Sequence, residues 1–114
     1  MAQQKRTLLP GTVDLVILQT LTGDPMHGFE VSRSIQARSE GALALQDAAL
    51  YQALHRMEKA GWLTSEWGIS DKGRRAKYYR LTTQGRSQLQ HEVGFWTKYA
   101  AAVFKVLEPA NQEG

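Results

Sequence analysis

Between Lys72 and Arg86 the chain carries six cations, Lys72, Arg74, Arg75, Lys77, Arg80 and Arg86, and no carboxylate. Outside that segment, 8 basic residues are outnumbered by 11 acidic ones. The net charge of +3 and the pI of about 9.4 therefore come from one stretch. A local concentration of Lys and Arg suits a polyanion, because each cation that reaches a phosphate releases condensed counterions. The same run on an isolated loop would serve only solubility. The elements around it decide between these readings.

A second group of polar side chains lies just upstream. Residues 47–60 have helical periodicity, with Leu50, Leu54 and Met57 on one face. The opposite face carries Ala48, Gln52, His55 and Lys59, with Ala49 and Arg56 beside them and Tyr51 on the boundary. In a helix that enters the major groove, small Ala48 and Ala49 allow close approach and contact with a thymine methyl. Gln52 can bond an adenine edge bidentately. His55 and Arg56 would lie nearer the phosphates, and the Tyr51 hydroxyl can bond a phosphate oxygen or pack on neighbouring structure.

Other chemistries find little support. With no cysteine, a disulfide framework, a Cys-ligated zinc site and thiol catalysis are excluded. His27, His55 and His91 fall on different elements, without carboxylates at metal-ligand spacing. The chain has no G-x-S-x-G elbow, Walker loop or dinucleotide fingerprint. Neither an enzyme nor a cofactor is expected. The longest uninterrupted apolar run, 100–104, is far short of the ~20 residues that span a bilayer. The start of the chain, with Lys5 and Arg6, does not read as a signal peptide. A cytoplasmic protein is expected.

The 114 residues suit one domain. Residues 11–22 read as a first helix with Val13, Val16, Ile17, Thr20 and Leu21 inward, and Leu15 and Leu18 on a spare face. Asp24-Pro25 predicts the start of a second helix running to about Ser39, with Val31 and Ile35 inward. A short strand could follow at 43–46. Asp47 is the predicted cap of the third helix, and Gly61 its terminator. Residues 62–68 and 76–81 read as a hairpin with a basic tip. From Thr82 or Thr83 a long helix follows, in which Leu89, Val93, Trp96, Ala100, Val103 and Leu107 are spaced as a heptad seam. Phe95, Tyr99, Ala102 and Val106 form a stripe beside it.

This order predicts a mainly α fold with a small β-hairpin: a winged helix-turn-helix over 8–82, and a C-terminal dimerisation helix over 83–108. The seam predicts a homodimer. Leu15, Leu18, Trp96 and Tyr99 are candidate contacts for a planar small-molecule effector at its centre, although dimer core is the favoured reading of the rings. The candidate DNA contacts are Ala48, Ala49, Tyr51, Gln52, His55, Arg56, Lys72, Arg74, Arg75 and Lys77. A module that uses the winged fold to bind protein is the alternative, but it would not need so many cations on one hairpin.

The chain also resembles the PadR family of bacterial transcriptional regulators, closest to the short branch with a single C-terminal helix. The resemblance is carried by Leu8–Leu18, Pro25–Phe29, Ala49–Gly61, Glu66-Trp67-Gly68 and Arg74–Gly85, and above all by L-Y-x-A-L-H-R-x-E combined with R-R-x-K-Y-Y-x-L-T. It implies a homodimer on a double-stranded DNA operator, usually a repressor relieved by a small molecule. Some short-branch members hold flat drugs between paired tryptophans, for which Trp96 is the position here. Gln52 stands where the family pattern has Pro, and Phe29 where it usually has Tyr.

Overall fold

A computed structural model describes residues 6–109, so the amino-terminal reading that included Lys5 lies partly outside the described residues. β1 (Arg6–Thr7) pairs in parallel with β3 (Leu43–Ala44). A 3-10 turn at Pro10–Thr12 leads into α1 (Val13–Thr20), which is shorter at both ends than the periodicity predicts. Ile17, Leu18 and Leu21 from this helix are fully buried. They meet Val31 and Ile35 of α2 (Gly28–Arg38) and Leu50, Leu54 and Met57 of α3 (Asp47–Lys59). Each such side chain removed from water contributes roughly 1.5–3 kcal/mol, and this apolar cluster joins the three helices.

Two helix starts differ from expectation. α2 begins at Gly28, not at Pro25, because Met26–His27 forms a strand, β2, against Tyr78 and Tyr79. His27 is the cap: its Nδ1 accepts from the Glu30 amide at 3.3 Å, and Glu30 Oε1 accepts from the His27 amide at 3.1 Å. This reciprocal pair satisfies two otherwise orphaned amides, which Asp24 is too far upstream to reach. At α3, Gln46 is the capping position without a side-chain bond, and Asp47 is the first helical residue. Its carboxylate still complements the positive end of the helix dipole.

β4 (Leu63–Ile69) and β5 (Arg75–Leu81) form the hairpin; β4 is shifted one residue toward the turn from the sequence reading, and β5 begins one residue earlier. The sheet order is β2-β5-β4. The tip is closed by the Ser70 amide donating to Arg74 O at 2.8 Å and the Gly73 amide donating to Ser70 O at 2.8 Å. Gly73 has φ +75°, the left-handed conformation such a turn requires.

α4 (Thr83–Leu107) starts where expected. Thr82 Oγ1 accepts from the Gly85 amide at 2.9 Å and donates to Gly61 O at 2.7 Å, fixing the helix to the end of α3. Gly85 stands where a capping box would place Glu or Gln, and packing explains it: a Cβ there would lie 2.0 Å from Trp62 O. Leu89, expected on the heptad seam, is instead buried in the chain's own core. Beyond it the helix runs free of that core, and Phe95, Tyr99, Phe104, Val106 and Leu107 are exposed.

Candidate nucleic-acid interface

Ala48, Ala49, Tyr51, Gln52 and His55 are all exposed on the face of α3 turned away from the buried leucines. Tyr51 leans over the start of α2. A Cβ built on Gly28 would sit 2.6 Å from the Tyr51 ring, so glycine permits this approach. Beyond Tyr51 a cleft of about 680 Å³ separates the helices from the hairpin. Its walls include Phe29 and Arg33 of α2, Trp67 of β4, and Lys72, Arg74 and Arg75 of the hairpin tip.

The expected cations divide into two groups. Among the described residues, Lys72, Arg74 and Arg75 have no carboxylate within ion-pair distance, and all three are exposed. Arg56 and Lys77 each have a carboxylate partner. Arg56 gives both terminal nitrogens to Asp14 of α1, each at 2.8 Å. The Asp14 hydrogen bond holds its guanidinium above the ordinary arginine range, against a smaller effect of burial. A carboxylate already paired with the guanidinium offsets the charge that a phosphate would meet. Arg56 therefore ties α3 to α1. Lys77 Nζ lies 3.5 Å from Glu58 of α3, whose other oxygen accepts from Ser65 Oγ at 2.6 Å. Lys77 thus joins the hairpin to α3.

Helical periodicity places Arg56 on an outward arc, but it cannot reveal a partner 42 residues away. Cross-strand register could have marked Trp67, since it places Lys77 directly opposite and Arg75 one step along the same face. The His27-x-x-Glu30 spacing is itself a capping-box signal, masked in the sequence by the stronger Asp24-Pro25 pattern.

The candidate effector residues are split. Leu18 is fully buried in the protomer core, not on a spare face, so no ligand at a dimer centre can reach it. Leu15 stays half-buried and Trp96 half-buried, with Tyr99 exposed beside Trp96 in an edge-on contact of 5.6 Å. Of the other seam positions, Ala100 is half-buried, while Val93, Val103 and Leu107 are exposed. No group of three or more metal-ligating side chains occurs among the described residues. No helix among them is long and apolar enough to cross a membrane.

Three helices, the third lying beside a two-stranded wing, define the winged helix-turn-helix class. The sequence places the chain more closely. The sequence model of the PadR-like transcriptional regulator family matches residues 17–91, and the chain belongs to that family. It is 32% identical over 92 residues to an uncharacterized protein X of Lysinibacillus sphaericus, covering 80% of this chain and 84% of that protein. In structure it is similar to a transcriptional regulator from Clostridium thermocellum, with 28% identity and a TM-score of 0.78 over 86% of this chain and 95% of that one. It is similar also to a PadR family transcription regulator from hypervirulent Clostridium difficile, with 28% identity and a TM-score of 0.73 over 85% of this chain and 99% of that one. The protein is a transcriptional regulator of a DNA-binding family, not an enzyme.

Proposed function

We propose that this regulator is a homodimeric, sequence-specific operator-binding protein that represses transcription in the cytoplasm. The 8–82 unit binds DNA and the 83–108 helix joins two copies. The observation that carries this reading is an exposed α3 face beside a cleft that Tyr51 of that helix shares with three wing cations lacking a carboxylate partner. In this reading Ala48, Ala49 and Gln52 face the major groove, and Tyr51, His55, Lys72, Arg74 and Arg75 hold the backbone. Arg56 and Lys77 hold the domain in shape.

Two such domains on a twofold axis would read half-sites about 34 Å apart, one turn of duplex. The heptad positions exposed on α4, Val93, Val103 and Leu107, with Trp96 and Ala100, are the proposed seam. A planar effector bound against Trp96 and Tyr99 would rock the paired helices and spoil the half-site spacing. Such coupling is ordinarily worth ~1–3 kcal/mol.

Selection of bound sequences from random duplex DNA tests the reading. Two inverted half-sites separated by one helical turn are expected, and a pool without enriched sequence would contradict it. For the effector, planar cationic dyes should quench fluorescence in wild type more than in Trp96→Ala. Equal quenching would remove Trp96 from the proposed ligand site.

A further inference from the structure

We propose that Trp67 is a positioning residue of the wing, holding the Arg75 guanidinium in its working orientation before DNA arrives. The inference rests on the reading of the wing as a DNA grip. Trp67 is 58% exposed, too open to be a core residue, and its ring lines the cleft. The Arg75 guanidinium carbon lies 4.5 Å from the centre of that ring. Lys77 Nζ lies 6.0 Å from the same ring and 5.9 Å from the Tyr79 ring. Cross-strand register explains the alignment: Trp67 is paired with Lys77, and Arg75 follows two residues away on the same face of β5. Arg75, Trp67, Lys77 and Tyr79 make a ladder of alternating cation and ring, anchored to α3 through Lys77 and Glu58.

The stacking has a chemical consequence. A guanidinium lying over an indole uses its flat face and leaves the N–H donors at its edge free for phosphate. Arg56 is the contrast within this chain, since both its terminal nitrogens already donate to Asp14. A flexible arginine must surrender rotamer freedom when it binds, and an arginine already stacked has surrendered much of it. Trp67 thus acts on DNA through Arg75.

The test combines one double-mutant cycle with one DNA-free measurement. Binding of a labelled mixed-sequence duplex is compared for wild type, Trp67→Ala, Arg75→Ala, the double variant and Trp67→Phe, with urea unfolding of each. Trp67→Ala should weaken binding roughly two- to fivefold per wing. It should add nothing in the Arg75→Ala background, and Trp67→Phe should restore most of the loss. An equal loss in the Arg75→Ala background would overturn the proposal while leaving the grip intact. Full binding by Arg75→Ala would overturn the grip and the proposal together. Without DNA, the Arg75 side-chain resonances of wild type should be shifted upfield by the indole, and Trp67→Ala should abolish that shift. Unshifted Arg75 resonances in wild type would refute the positioning role whatever DNA does.

Discussion

Replacing Gly85 by alanine should destabilise the protein, although helix propensity alone predicts the reverse. The added Cβ would lie 2.0 Å from Trp62 O, 3.0 Å from Trp62 C and 3.2 Å from a Leu81 methyl. Ordinary carbon contacts begin at about 3.5 Å, so α4 must shift by more than an ångström or the Trp62 backbone must give way. That carbonyl already accepts from the Thr82 amide at 3.0 Å, and it shares the Thr82 hydroxyl proton, at 3.1 Å, with the nearer Gly61 O. Displacement therefore weakens the Thr82 amide bond and the Thr82 cap on Gly85, at about 1 kcal/mol each. Against this stands a gain of about 1 kcal/mol for alanine over glycine in a helix. The net cost is about 1 kcal/mol, a drop in Tm of roughly 4 °C for a domain of this size. Gly94 is the internal control: nothing lies within 4 Å of a Cβ built there, and Gly94→Ala should raise stability by up to ~1 kcal/mol. Thermal and urea unfolding followed by circular dichroism measure both. A Gly85→Ala protein as stable as wild type would refute the close-approach argument.

Three further outcomes are expected. Arg56→Met should cost only about 0.5–1 kcal/mol in urea unfolding, because the arginine side chain is more than half exposed and solvent screens the pair. It should leave the salt dependence of DNA binding unchanged, and a reduced slope would show Arg56 on phosphate instead. Gln52→Ala should relax preference at one base pair of each half-site by about 1–3 kcal/mol while sparing non-specific affinity. Competition between matched and mismatched duplexes reads this, and an equal loss on all sequences would contradict base reading. Val103→Asp should place an unpaired charge in the α4 seam at roughly 3–5 kcal/mol and yield monomers in sedimentation. Persistent dimers would refute the heptad assignment.

The sequence reveals most where local rules act without competition. Leu50, Leu54 and Met57 at helical spacing place the buried face of α3, and with it the exposure of Ala48, Gln52 and His55. The hairpin is legible from β-prone runs around a turn-rich link. What stays hidden depends on distant partners. Asp24-Pro25 is a good local start signal, yet β2 pairing with β5 moves the helix start to His27. Leu18 and Leu89 fall on faces that periodicity cannot assign to one side or the other, and both are drawn into the core that the helices and the hairpin share. The cationic run identifies the wing, but charge count alone does not distinguish Arg75, stacked with its donors free, from Lys77, held by Glu58.

The central claim is that the wing cations and the α3 face grip one duplex. Affinity for a selected operator, measured against salt concentration for wild type and the Arg74→Ala/Arg75→Ala protein, tests it most directly. The logarithmic slope should fall by roughly one for each phosphate that the double variant leaves unneutralised, with affinity reduced alike on specific and non-specific DNA. An unchanged slope and affinity in the double variant would contradict it.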